Sequence, residues 1–80
     1  MAIDFKYTKN IVERKITANG FNLNDIELHT ELLISGYLDS LDIVEILQEL
    51  EALSGVPPNW KTEDKEEIIC INWFFKIANI

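Results

Sequence analysis

Ser40-Leu41-Asp42-Ile43-Val44-Glu45-Ile46-Leu47-Gln48-Glu49-Leu50-Glu51-Ala52-Leu53-Ser54 reads as a single amphipathic helix. At about 100° per residue, Ile43, Ile46, Leu47, Leu50 and Leu53 fall on one face, which predicts the side turned to the core. Leu41 falls roughly opposite the centre of that face, and Val44 sits on its flank. Asp42, Glu45, Glu49 and Glu51 fill the rest. Upstream, Gly36 is expected to supply a backbone bend that brings Asp39 and Ser40 to the surface. Downstream, Gly55 and then Pro57-Pro58 predict the end of the helix. A serine at a helix start, beside a leucine the core cannot use and a row of carboxylates, requires an explanation.

The plain explanation of Ser40 is a helix N-cap, whose hydroxyl accepts a bond from an orphan backbone N–H. Asp39, with Asp42 three residues on, offers a weaker version of the same device, and acids suit the positive end of the helix dipole. Capping leaves Leu41 unexplained, although single exposed leucines are common.

The surrounding chain resolves into helices and one long connection. Residues 4–18 predict a first helix, with Phe5, Ile11, Val12 and Ile16 at near-helical spacing and Lys6, Lys9, Glu13, Arg14 and Lys15 between them. Asp4 or Thr8 is placed to cap it, and Asn19-Gly20 suit its end. Its cations read as a solvated face. Residues 19–39 join it to the central helix. Phe21, Leu23, Ile26, Leu28, Leu32, Leu33, Ile34 and Leu38 make this connection too apolar to stand free, so it must pack down on the helices. A loop this long is usually functional or hides a short helix, and residues 30–35 have room for one turn. After the prolines, Trp60 is expected to fold back on the core, and Thr62-Glu63-Asp64-Lys65-Glu66-Glu67 predicts a short exposed helix. Ile68-Ile69-Cys70-Ile71 fits strand or helix equally by period. A last helix is placed from about Asn72, with Asn72 as cap and Phe74, Ile77 and Ala78 inward.

Composition bounds the function. Eighty residues make one domain with a small core, and 48% apolar residues exclude a disordered tail. Fourteen acidic residues against seven basic give a net charge of −7, which repels nucleic acid and attracts basic protein surfaces. A single cysteine permits no internal disulfide. Cys70 is expected to be a small buried hydrophobe, and His29 a surface loop residue with no second ligand to make a metal site. One histidine and one cysteine leave little to build an enzyme from. No stretch approaches a membrane span and no signal-type apolar run opens the chain, so a soluble, cytoplasmic monomer is expected.

Gly36-Tyr37-Leu38-Asp39-Ser40-Leu41-Asp42-Ile43-Val44-Glu45 resembles the Asp-Ser-Leu signature of acyl carrier proteins, and the chain matches that family in size and in the order of its helices. The Gly-Tyr-Leu-Asp-Ser form is closer to carriers of the D-alanyl or aminoacyl type. The resemblance implies an all-α fold, a small four-helix bundle with a long loop between the first and second helices. It implies that Ser40 carries a 4′-phosphopantetheine arm from coenzyme A, attached by a phosphopantetheinyl transferase. It also implies that Asp39, Leu41, Asp42, Glu45 and Glu51 meet the transferase and later partners, with Val44 at the edge of the apolar contact. Those partners are an acyl- or aminoacyl-loading ligase and synthase enzymes with basic docking surfaces. The domain itself would catalyse nothing. In fatty acyl carriers a cavity among the helices holds the cargo; Leu47, Leu50, Ile69 and Phe74 are the residues placed to line one or to fill it. Ala52 stands where the family is often acidic, and the basic first helix and the Trp73-Phe74-Phe75 ending also depart from it. The alternative is a helical interaction module that keeps the fold without the arm.

Overall fold

The computed structural model describes residues 4–55 and 68–78 of the chain. Three α-helices are found there: α1 (Phe5–Ala18), α2 (Ser40–Ser54) and α3 (Ile71–Ala78), with one 3-10 turn at Leu23–Asp25. No strand occurs among the described residues, so this part of the chain is all-helical. The short helix expected at 62–67 and the packing expected of Trp60 lie outside the described residues.

Local chemistry explains the ends of α1. The Asp4 carboxylate accepts the Lys6 N–H at 3.1 Å and caps the helix start. Thr8, the other candidate cap, is buried on the inner face with Ile11, Val12 and Ile16. Asn19 closes the helix, and Gly20 follows at φ +89, a conformation that only glycine adopts without strain. Phe5 reaches α3, its ring edge-on to Phe75 with centroids 5.0 Å apart.

The bounds of α2 are those its sequence predicts. Gly55 ends it in the left-handed conformation and donates its N–H to Glu51 O at 2.8 Å. Ile43, Ile46, Leu47 and Leu50 are buried. Leu53, also expected in the core, is instead 57% exposed. It lies about 70° from the centre of the buried face, in the last turn, where the stripe has drifted off the packed side.

The long connection packs down as its composition demands. Leu32 and Leu38 are fully enclosed, and the Leu38 N–H donates to Leu32 O at 2.9 Å. Two bonds stitch the loop to the C-terminal segment: Leu32 N–H to Ile69 O at 2.8 Å, and Asn72 N–H to Leu28 O at 3.2 Å. The 30–35 stretch forms no helix. Leu33–Gly36 is a turn, organised by the Glu31 carboxylate, which accepts the N–H groups of Leu33 and Ser35 at 2.9 Å each. Burial pushes the Glu31 carboxyl up, but the N–H groups of Ile34, Ser35 and Leu33 outweigh it and hold its pKa below the ordinary value. Gly36 makes the expected bend at φ +90. Not every apolar loop residue is covered: Ile34 is 89% exposed.

Helix α3 begins one residue earlier than expected, at Ile71, so Asn72 lies inside its first turn rather than capping it. The Asn72 side chain meets His29 Nδ1 at 3.3 Å instead. Phe74 and Ile77 face inward as predicted, joined by Ile71 and Trp73. Helix α1 packs on both other helices, and α2 packs on α3.

Truncation separates the true core from the expected one. Leu50→Ala should cost about 2–5 kcal/mol, since it opens a cavity where no surface residue can collapse. Leu53→Ala should stay within about 0.5 kcal/mol of wild type. Urea unfolding followed by circular dichroism measures both; equal losses would place Leu53 back in the core.

Candidate functional site

The chain enters α2 through a reciprocal capping box. Asp39 is the N-cap, and its Oδ1 accepts the Asp42 N–H at 2.8 Å. Asp42 Oδ2 in turn accepts the Asp39 N–H at 3.1 Å. Ser40 is therefore the first helical residue and not the cap. The weaker device in the sequence won: the Asp39–Asp42 spacing satisfies two backbone donors at once, and a serine can satisfy only one. The N–H groups of Ser40 and Leu41 lie in the first turn, where a helix offers no internal acceptor.

Asn19, at the end of α1, locks this corner. Its Nδ2 donates to Asp42 Oδ2 at 2.8 Å and to Tyr37 O at 3.0 Å. Burial pushes the Asp42 carboxyl up, but the bonds from Asn19 and from the Asp39 N–H, with the Lys15 charge nearby, outweigh it and hold its pKa below the ordinary 3.8. Tyr37 is pinned in turn by Phe21, ring edge to ring face, with centroids 5.1 Å apart. The side chain of Ser40 itself is exposed on this braced corner.

The residues around Ser40 divide into two groups. Leu41 and Val44 stand in solvent, 65% and 41% exposed, and Glu51 is exposed as well. Asp42 and Glu45 turn toward α1. Lys15 Nζ donates to Glu45 Oε1 at 2.8 Å, and Arg14 Nη2 lies 3.7 Å from Glu49 Oε1. The hydrogen bond to Glu45 outweighs burial and, with the charges of Glu45, Asp42 and Glu49, holds the Lys15 ammonium above its ordinary pKa. The first-helix cations thus form a free solvated face only in part. Arg14 and Lys15 are spent on α2, and Lys9 lies 3.6 Å from Glu13 within α1.

Asn19, Arg14 and Lys15 are the residues that sequence reasoning missed. A partial signal for them exists: Asp42, Glu45 and Glu49 recur at helical spacing, Lys15 and Asn19 stand four apart with Arg14 beside Lys15, and their partners follow in reverse order along an antiparallel helix. Ile11, Ala18 and Gln48 line a groove of about 490 Å³ between the two helices, crossed by both ion pairs. The residues considered for an internal cargo cavity lie elsewhere. Leu47, Leu50 and Phe74 belong to the buried core cluster, with Ile69 packed against it. Cys70 is buried, and no cluster of metal-ligating side chains occurs among the described residues. No described helix is long and apolar enough to cross a membrane.

Comparison of the chain with known protein families, curated proteins and solved structures finds no match.

Two measurements test the corner. Asp39→Ala should cost about 0.5–2 kcal/mol, the usual loss for an N-cap. Ser40→Ala should cost no more than about 0.5 kcal/mol, because its hydroxyl takes no part in the cap. Equal losses in thermal unfolding would return the capping role to Ser40. The second measurement is pH dependence. Because the folded Asp42 pKa is depressed, its contribution is complete above the unfolded value and fades as pH falls through the folded one. Asp42→Asn should therefore be less stable than wild type at neutral pH, and the gap should close below about pH 4.

Proposed function

We propose that this chain is an acyl or aminoacyl carrier protein with a 4′-phosphopantetheine arm on Ser40. One observation carries the reading most directly. Ser40 is exposed at the first position of α2, while Asp39 and Asp42 perform the capping that would otherwise occupy a serine there. Its hydroxyl is left for other use.

The residues present fit such a group. A phosphodiester on Ser40 would sit at the positive end of the α2 dipole, beside the N–H groups of Ser40 and Leu41. The neighbouring carboxylates oppose it least in the arrangement found. Asp39 and Asp42 each accept a backbone N–H of the corner, and Asp42 also accepts Asn19. When bound, the arm supplies a terminal thiol that carries acyl groups as thioesters. The protein's own part is to hold the attachment point rigid, through Asn19, Tyr37 and Phe21, and to present Leu41 and Val44 beside it. The domain performs no catalysis in this reading. It works in the cytoplasm as a monomer, served by a phosphopantetheinyl transferase, a loading ligase and downstream synthases. The four-helix carrier bundle belongs to the same proposal.

A second reading, a helical interaction module without the arm, draws on the same exposed Leu41. The two part at the serine. Incubation with a broad-range phosphopantetheinyl transferase and coenzyme A should raise the intact mass by one phosphopantetheine group, and Ser40→Ala should abolish the gain. An unchanged mass, with cellular activity that survives Ser40→Ala and is lost in Leu41→Asp, would favour the interaction module.

A further inference from the structure

We infer that the surface offered to partner enzymes is the uncharged stripe Leu41, Val44, Gln48 and Ala52, because α1 cations already pair Glu45 and Glu49 and Asn19 holds Asp42. The inference rests on the carrier reading and specifies its docking chemistry.

Helical geometry puts two stripes on the outer half of α2. Asp42, Glu45 and Glu49, at steps of three and four, form the one turned toward α1. Each has a partner there: Asn19 at 2.8 Å, Lys15 at 2.8 Å and Arg14 at 3.7 Å respectively. The α1 numbers fall as the α2 numbers rise, so the helices run antiparallel and the match extends along both. Leu41, Val44, Gln48 and Ala52, at steps of three, four and four, form the other stripe. All four are exposed and none is charged, with Gln48 also edging the groove against α1. Glu51 flanks this stripe, with no described cation paired to it.

Charge complementarity selects the occupant. A partner that relied on a basic patch would find Glu45 and Glu49 engaged and would have to displace Lys15 and Arg14 to use them. Exposed ion pairs are individually weak, but replacing one cation by another gains little net attraction. Apolar contact with Leu41 and Val44 meets no such competition. The fitting partner surface is therefore a shallow apolar depression beside the enzyme's active-site entrance, with cations at its edge for Asp39 and Glu51, which no described α1 cation pairs. The chain's net charge of −7 still steers it toward basic partners at long range, so what sets this face apart is the gain in salt-dependent attraction when its two pairing cations are removed.

The probe is a broad-range phosphopantetheinyl transferase acting on the full apo chain with coenzyme A. The readout is the KM for the chain, measured from about 0.01 M to about 0.15 M salt, over which the screening length falls from roughly 30 Å to 8 Å. The wild-type shift over this range sets the baseline. Arg14→Gln with Lys15→Gln, checked for unchanged helicity, should lower KM several-fold at low salt and lose that gain at high salt, as two freed acids become attractive. Leu41→Asp should raise KM about tenfold at either salt, the equivalent of about 1.4 kcal/mol. A double variant indistinguishable from wild type, or a Leu41→Asp protein with normal KM, would each overturn the inference while leaving Ser40 a carrier site. Absence of any mass gain on wild type would remove the carrier reading and the inference together.

Discussion

One side-chain amide sets the geometry of the candidate site. Asn19 ends α1, and its Nδ2 spans to Asp42 in the first turn of α2 and to the Tyr37 carbonyl just before it. These two bonds join the end of α1 to the entrance of α2, 18 and 23 residues further along the chain. Without them the Asp39–Asp42 box would still start a helix, because it is local. The box fixes no direction for that helix relative to α1. Asn19 supplies the direction, and the Phe21–Tyr37 ring pair stiffens the last stretch of loop behind it. Ser40 therefore stands on a corner braced from both sides, where a tether attached to it would have a fixed origin.

The same corner decides how the acids of α2 are used. A carboxylate on a helix surface can steer a partner or tie down a neighbour, and these uses compete. Here the second use takes Asp42, Glu45 and Glu49. Lys15 is the best placed of the cations, half-buried and 2.8 Å from its carboxylate, and Arg14 at 3.7 Å is looser. Pairs of this kind contribute modestly to stability. Their larger effect is on registration: opposite charges in matching order favour one alignment of α1 on α2 over a slip of one turn. The count of four acids on α2 thus overstates the negative potential that the helix shows to solvent.

What the sequence revealed follows the range of the interactions involved. The ends of α1 and α2, the bend at Gly36 and the stop at Gly55 rest on contacts within a few residues, and period and capping chemistry expose them. Burial of Ile43, Ile46, Leu47 and Leu50 follows from the same period. Leu53 escaped because a stripe in the sequence has no end, whereas the neighbouring helices that cover it do. Asn72 escaped because His29 and Leu28 engage it from forty residues away, which no local rule foresees. The pairing of α1 cations with α2 acids is non-local in the same way. Each stripe is visible alone, and only the antiparallel docking of the helices joins them. At the candidate site, the exposed serine and leucine were legible, and the substitution of Asp39 for Ser40 as cap was half-legible in the Asp39–Asp42 spacing.

That substitution also bears on why a serine can occupy this position. At the first helical residue a hydroxyl contributes little to the fold, and an alanine would serve the helix better by intrinsic propensity. A position with no structural demand on its side chain can be given over to chemistry, provided the neighbours hold the backbone still. Asp39 and Asp42 do so with bonds to each other's N–H groups, and their charges are partly answered by those donors and by Asn19. An anion attached at Ser40 would meet two open N–H groups at the end of a dipole. The carboxylates beside it already have partners. The acids nearest the serine are thus compatible with a negatively charged substituent because they are engaged in building the corner.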